Sequence, residues 1–247
     1  AWAGQRRPRH NETPERIAET PLAQATIAQR LAIASSFYCY AVRMGHLADN
    51  PMSRIVRPRT PAYNGVQTLD VDELRERLNA IDRTTPQGQR DYALLAVFLT
   101  TGRRASEVIG LRWRHVRLIR RGQGVTLTFQ VKGNRTLTDR LDEHVGRALL
   151  DWLQCWYGGQ WLRLPPDSPL WVSLSPRNRG QAITIQAAAD ICQRHLGISQ
   201  VHLLRHTFAR MMEDAGAKVS EIQARLGHES LQTTGRYLAA LRHEENP

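Results

Sequence analysis

Four short stretches of the chain collect cationic, imidazole and phenolic side chains at spacings that can support chemistry. They read TGRRASE at 101–107, VKGN at 131–134, HLLRHTFA at 202–209 and LGHESLQTTGRY at 226–237. In the first stretch, Glu107 stands three residues after Arg104 and could hold that arginine just beyond the helix-breaking Gly102. In the third, His202 and Arg205 are three residues apart. They share one face of a predicted helix, so an imidazole and a guanidinium would stand side by side.

The other two stretches add a proton donor and a nucleophile. Lys132 lies at the tip of a predicted hairpin. Tyr237 lies on the last predicted helix, where its ring can border the protein core while its hydroxyl stays outside. Arginines can stabilise the charge of a phosphoryl transition state, a tyrosine oxygen can attack phosphorus, and a lysine or histidine can protonate the departing oxygen. The inventory therefore favours phosphoryl transfer from a phosphodiester to tyrosine. Taken singly, Arg104, Lys132 and Tyr237 each have an ordinary alternative: a surface arginine in a loop, a solvated turn lysine and a half-buried tyrosine. His206 falls away from the face that His202 and Arg205 share, and we interpret it as a structural residue.

Composition agrees with an anionic partner and excludes several other classes of protein. The 247 residues include 34 Lys and Arg against 23 Asp and Glu, a net charge of +11, which suggests a nucleic acid or an anionic surface. Arginine accounts for nearly all of this charge, because Lys132 and Lys218 are the only lysines. The sequence has no CxxC, HExxH or GxxxxGK[ST] motif, so we expect no metal site and no nucleotide-driven motor. Its three distant cysteines do not suggest disulfides, and no apolar run is long enough for a membrane span.

Hydrophobic periodicity predicts a mainly α fold with a small antiparallel β-sheet, an α+β class. The predicted helices are 23–44, 70–81, 90–101, 105–111, 143–157, 183–195, 203–215, 219–226 and 230–241. Alternation over 125–131 predicts a strand that returns through a two-residue turn at Gly133-Asn134, and 170–173 is a candidate short strand. On the helix at 203–215, Leu204, Phe208 and Met211 form the expected anchoring face. After 219–226, Gly227 suits a left-handed cap.

A change in composition predicts two domains joined by a linker. Residues 53–67 contain prolines, a glycine and arginines, which is typical of an extended basic linker. We expect 1–52 to be part of a helical domain that has lost its N-terminal portion, and 68–247 to be the domain that carries the chemistry.

Together and in this order, three motifs resemble those of one known family. The patterns TGxRxSE, HxLRHTFA and LGHxSxxTTxxY match TGRRASE, HLLRHTFA and LGHESLQTTGRY. The chain is similar to the tyrosine recombinases, also called the phage integrase family, over about residues 24–243. The positions that match the family's catalytic residues are Arg104, Lys132, His202, Arg205, His228 and Tyr237.

The resemblance implies a role for each of these residues. The paired arginines bind the phosphate, with Glu107 supporting the first of them. His202 is the general acid/base, His228 orients the phosphate, Lys132 protonates the leaving oxygen and Tyr237 is the nucleophile. The product of cleavage would be a 3′-phosphotyrosyl intermediate and a free 5′ hydroxyl, with no cofactor and no metal.

The resemblance also implies partners and organisation. Family members act as homo-tetramers on paired core sites in duplex DNA and exchange strands through a Holliday junction. Residues 1–52 would be a partial core-binding domain, and the two domains would form a C-shaped clamp around DNA. DNA contacts are expected from Arg54, Arg57 and Arg59 of the linker and from Arg103. Such a protein would be cytoplasmic, nucleoid-associated and of prokaryotic, phage or mobile-element origin, with no membrane partner.

Two alternative functions remain open at the level of sequence. The segment VSEIQARLGHESLQTTGRYLAAL could be a helix–turn–helix of a non-catalytic DNA-binding protein, although such a protein needs none of the upstream motifs. A type IB topoisomerase or a telomere resolvase would share the arginine, histidine and tyrosine chemistry.

Overall fold

The structure is a computed structural model that describes residues 22–58, 69–119 and 124–227. The chain divides into two compact units, residues 1–62 and 63–247. The helix predicted at 230–241 and the part of the linker from 59 to 67 lie outside the described residues. Among the described helices, none has the length and apolarity needed to cross a membrane.

The described part of the first unit, residues 22–58, contains one long helix, α1, at Gln24–Arg43, which confirms the helix predicted at 23–44. The amide of Asn50 donates to the backbone carbonyl of Ser35 at 3.3 Å, which ties the following turn back onto the helix. Within the described part of this unit, Ile33 and Phe37 remain exposed, at 63% and 65%.

The second unit is mostly helical around a small sheet, so the predicted fold class is confirmed. Its helices are α2 Val71–Asn79, α3 Pro86–Thr101, α4 Ala105–Ile109, α5 Glu143–Tyr157, α6 Ile185–Leu196, α7 His202–Asp214 and α8 Val219–Leu226. Its strands are β1 Val116–Leu118, β2 Val125–Val131 and β3 Arg135–Arg140. A short 3₁₀ turn, Trp113–His115, leads into β1.

Helix α3 forms the centre of this unit. Its residues from Arg90 to Leu99 are all buried, as expected for a segment that is apolar on nearly every face. The helix begins with the hydroxyl of Thr85 accepting the backbone N–H of Gly88 at 3.1 Å. It ends at Gly102, which adopts the left-handed conformation with φ 61°. Helices α5 and α7 pack against it and complete the core that supports the motifs.

The sheet has the order β1-β2-β3 and is antiparallel throughout. Burial along β2 alternates as predicted, with Val125, Leu127, Phe129 and Val131 inward. The predicted two-residue turn is wrong by one residue, because pairing ends at Val131 and Arg135 and a three-residue loop joins the strands. Positive φ angles at positions 133 and 134 still give the chain its sharp reversal.

Three other details of the prediction are corrected. Strand β1 was not predicted, because it has only three residues and lies in an arginine-rich segment. The segment 170–173 forms an isolated bridge from Val172 to Ala182 instead of a strand. Leu204 and Phe208 anchor α7 as expected, but Met211 is 37% exposed because it faces away from the core.

Candidate active site

Arg104 is held at the start of α4 by the carboxylate predicted to support it. Glu107 accepts the backbone N–H of Arg104 at 2.9 Å through Oε2 and the guanidinium Nη1 at 2.9 Å through Oε1. The carboxylate is buried, whereas the Arg104 side chain is 37% exposed. Glu107 therefore fixes the position of the Arg104 backbone and side chain, while the guanidinium remains accessible to an anion from solution.

Arg205 is buried and joins two chain segments. Its Nη1 donates to the carbonyl of Gly102 at 2.8 Å, and its Nη2 donates to the carbonyl of Leu226 at 2.8 Å. The side chain on α7 thus links the end of α3, just before Arg104, to the end of α8. Because a buried charge is tolerated only with such partners, this guanidinium is held rigidly in one place.

The end of α3 also packs closely against α7. A Cβ atom added at Gly102 would stand 2.1 Å from the Phe208 ring, and the residue's φ of 61° disfavours any side chain there. Glycine is therefore required at position 102 both by the nearby Phe208 ring and by the positive φ angle. The loop that carries Arg104 lies directly against α7.

His202 begins α7 and lies near both arginines. Its pKa is lowered from the ordinary value, first by partial desolvation and then by the positive charges of Arg205 and Arg104. The imidazole is therefore neutral at pH 7 and can accept a proton. The backbone geometry also places these residues near one another, because His202 and Arg205 are about one turn apart on α7 and Arg205 donates to the carbonyl of Gly102, two residues before Arg104.

His206 lies next to His202 and is buried, which agrees with its interpretation as a structural residue. The two ring centroids are 4.4 Å apart in an edge-to-face arrangement. Burial, followed by the charges of His202 and Arg205, lowers the pKa of His206 to about 4. This ring stays neutral at physiological pH and supports His202 from inside the domain.

Lys132 follows β2 directly and is exposed in the three-residue loop of the hairpin. The hairpin holds it at the tip of a paired ladder that ends at Val131 and Arg135. In this position its ammonium can reach a bound molecule outside the protein surface.

Arg103 is a correction to the expected DNA contacts, because it is buried at 2% exposure. Its Nε donates to Oδ2 of the buried Asp139 at 2.7 Å, and its guanidinium lies 5.4 Å from the centroid of the Phe129 ring. Two adjacent arginines thus have opposite environments, and only Arg104 faces solvent.

The remaining candidates fall into two groups. Arg54 and Arg57 are exposed in the first unit. Three others lie outside the described residues: Arg59, His228 and Tyr237. The described chain ends at Gly227, whose φ of 67° confirms the predicted left-handed cap of α8.

Comparison with known proteins identifies the family. The sequence model of the phage integrase family matches residues 67–244. The chain is 31% identical over 229 residues to a protein named tyrosine recombinase XerC from Pelobacter propionicus, covering 88% of this chain and 70% of that one. The chain belongs to the phage integrase family.

Other matches agree with membership of this family. The chain is 31% identical over 221 residues to tyrosine recombinase XerC from Serratia marcescens, covering 87% of this chain and 69% of that one. Its fold is similar to that of the XerH site-specific recombinase bound to difH substrate in a pre-cleavage complex, with a TM-score of 0.64 and 21% identity. That alignment covers 91% of this chain, which spans 64% of the XerH chain.

Family membership confirms the resemblance that the motifs predicted and does not favour the alternatives. A helix–turn–helix protein would need only the segment around α8, whereas the family model matches residues 67–244, nearly all of the second unit.

Two residues next to the candidate site, Asp139 and Arg225, were not predicted from the sequence. Asp139 accepts Arg103 through one oxygen and forms an ion pair with Nη1 of Arg225 at 2.9 Å through the other. A signal for its burial was present, because Asp139 shares strand parity with Leu137 and Leu141. Nothing local to the sequence indicates that its partners come from a loop and from α8.

Proposed function

We propose that this member of the phage integrase family is a site-specific recombinase that cleaves and rejoins DNA through Tyr237. The observation that carries the proposal is the buried Arg205, which joins the Gly102 and Leu226 carbonyls while Arg104 and His202 lie beside it. These three side chains come from two of the motifs, and the Leu226 carbonyl belongs to the third, the motif that ends in Tyr237.

In the proposed cleavage step, the Tyr237 oxygen attacks the scissile phosphorus and forms a phosphotyrosyl bond to the 3′ side. The bond from phosphorus to the 5′ oxygen breaks, and Lys132 gives that oxygen a proton. His202, neutral at pH 7, accepts the phenolic proton. A 5′ hydroxyl from another strand reverses these steps and rejoins the backbone.

Arginine charge is proposed to stabilise the transition state. Arg104 and Arg205 bind the non-bridging oxygens, and His228 orients the phosphate. Because Arg205 is held by two carbonyls and Arg104 by Glu107, neither needs to reorganise when charge develops. Loss of one such contact typically costs on the order of 100-fold in rate.

We propose duplex DNA with paired core sites as the substrate and a homo-tetramer as the assembly that acts on it. The net charge of +11 and the exposed Arg54 and Arg57, together with Arg59, favour salt-sensitive contacts to the DNA backbone. We propose 68–247 as the catalytic domain, 53–67 as the linker, and 1–52 as core-binding sequence, in a nucleoid-associated protein.

A covalent selection tests the proposal without knowledge of the target site. The protein is incubated with duplexes that carry a randomised segment and a single nick, so that a short 5′-hydroxyl fragment diffuses away after cleavage. We expect a denaturant-resistant protein–DNA adduct that enriches one sequence over successive rounds. Tyr237→Phe should abolish the adduct and retain DNA binding.

Two outcomes would contradict the proposal. Retention of DNA without any adduct would indicate a non-catalytic binding protein. Relaxation of supercoiled plasmid with no enriched sequence would indicate a topoisomerase.

A further inference from the structure

A single buried carboxylate connects three of the elements that carry the candidate active site. Asp139 on β3 is 1% exposed and lies between two guanidiniums. Its Oδ2 accepts Nε of Arg103 at 2.7 Å, and its Oδ1 lies 2.9 Å from Nη1 of Arg225. Arg103 adjoins Arg104 in the loop after α3, β3 belongs to the hairpin of Lys132, and Arg225 precedes Leu226 at the end of α8.

The end of α8 lies directly on this carboxylate's strand. A Cβ atom added at Gly227 would stand 2.8 Å from Cδ1 of Leu137 and 3.7 Å from Nη1 of Arg103. Among the residues that the structure describes, that buried Nη1 atom has no hydrogen-bond partner, and the guanidinium of Arg103 is held mainly by Asp139. The arrangement fixes the separation between β3 and α8 at the point where the described chain ends.

Arg225 and Arg205 hold the same end of α8 from two sides. Arg205 donates to the carbonyl of Leu226, and Arg225, one residue earlier, is paired to Asp139. Loss of the Arg225 contact would leave α8 attached to α7 but free to shift relative to the hairpin. Because the carbonyl that Arg205 binds belongs to α8, such a shift would reach the phosphate-binding arginine.

We propose that Asp139 and Arg225 are positioning residues that keep the Lys132 hairpin and the end of α8 in register with Arg104 and Arg205. This inference rests on the proposed function. Neither residue contacts the reacting atoms of the proposed cleavage step. Misplacement of a catalytic group by about 1 Å can cost on the order of 100-fold in rate, so a partial shift should cost about 10-fold.

Arg225 is the better residue to change. Its side chain is 37% exposed, whereas those of Arg103 and Asp139 are 2% exposed. Removing either buried partner would leave an uncompensated charge inside the protein and could prevent folding. Arg225→Gln removes the link to α8 and leaves the buried pair of Arg103 and Asp139 intact.

The chain offers a matched control in helix α6. The Arg194 side chain is 49% exposed, and its Nη1 lies 3.2 Å from Oδ2 of the buried Asp91. Asp91 already has a buried arginine partner, Arg90, at 2.6 Å. Arg194→Gln therefore removes the same kind of contact from the same kind of carboxylate, but away from the candidate site.

The experiment measures the single-turnover rate of adduct formation on the nicked duplex recovered by the covalent selection, at saturating protein. Melting temperature and DNA affinity are measured on the same variants. We expect Arg225→Gln to slow adduct formation by about 10-fold with affinity and melting temperature nearly unchanged. Arg225→Lys should recover most of the rate, and Arg194→Gln should stay within about twofold of wild type.

Three results would overturn the inference while leaving the proposed function in place. They are an unchanged rate in Arg225→Gln, an equal loss in Arg194→Gln, or a loss of DNA affinity with an unchanged rate at saturation. The last result would make Arg225 a DNA contact. Absence of an adduct with the wild-type protein would instead overturn the proposed function and this inference with it.

Discussion

Two buried carboxylates in the second unit each pair with two arginines, but they connect different parts of the unit. Asp91 and Asp139 are 0% and 1% exposed, and each pairs with one buried and one partly exposed arginine. The partners are Arg90 and Arg194 for the first, and Arg103 and Arg225 for the second. Asp91 joins two helices of the scaffold, whereas Asp139 joins the loop, hairpin and helix that surround the candidate site.

The effect of an ion cluster depends on which elements it connects. Asp91 also accepts a hydrogen bond from His195 at 2.9 Å, so its partners attach α6 to the central α3. Removing a contact of Asp91 should therefore lower the stability of the fold. Removing the contact between Asp139 and α8 should instead lower the rate of adduct formation.

Asp91→Ala should destabilise the protein most, because it leaves the buried Arg90 without its main partner. We expect the free energy of unfolding to fall by about 3–5 kcal/mol, measured by urea denaturation. Folded protein, assayed well below its reduced melting temperature, should keep the wild-type rate of adduct formation. If Asp91→Ala were stable but formed the adduct much more slowly, the Asp91 cluster would support the active site and not the scaffold.

Arg104→Ala should show the opposite profile. Arg104 is partly exposed and proposed to bind the phosphate, so its loss should slow adduct formation by on the order of 100-fold. Melting temperature should fall less than in Asp91→Ala, because the buried Glu107 carboxylate keeps its hydrogen bond to the backbone N–H of residue 104. Arg75→Ala is the surface control, because Arg75 also pairs with a carboxylate three residues away, Asp72, at 2.6 Å, and both of those side chains are well exposed. Equal rates of adduct formation in the two variants would show that Arg104 does not act in the candidate site.

The histidine pair should make stability fall on acidification. His206 has its pKa lowered to about 4 in the folded state against an ordinary value of 6.5, so the unfolded chain binds the proton more tightly. Stability is therefore full above pH 6.5 and declines as the pH falls towards 4, by up to about 3 kcal/mol from this group. His202, whose pKa is also lowered, adds to the same slope.

Urea denaturation across pH 4 to 7 checks this expectation, with His206→Gln as the comparison. The variant should have a flatter dependence on pH, whatever its stability at pH 7. A slope identical to that of wild type would show that His206 is not held neutral by its surroundings.

Local patterns were sufficient to predict much of the second unit. The apolar run from Tyr92 to Leu99, the alternation in β2 and the glycine at 227 each specify a structure through their neighbours in sequence. Strand β1 was not predicted, because three residues are too few to show a period.

The site could be predicted only in part, for a physical reason. Arg104 and Glu107 are three residues apart and their contact follows from helix geometry. The burial of Arg103 depends on Asp139, which is 36 residues away in sequence. Such partnerships are set by the tertiary fold, so neighbouring arginines with similar sequence surroundings took opposite environments.

In the proposed reaction, Tyr237 becomes joined to a DNA strand beside Arg104 and Arg205. Digestion of the gel-purified adduct with trypsin and nuclease, followed by mass spectrometry, identifies the residue that is joined to DNA. We expect a nucleotide 3′-phosphate on the peptide YLAALR, which begins at Tyr237. A nucleotide attached to any other residue, or joined through its 5′-phosphate, would contradict it.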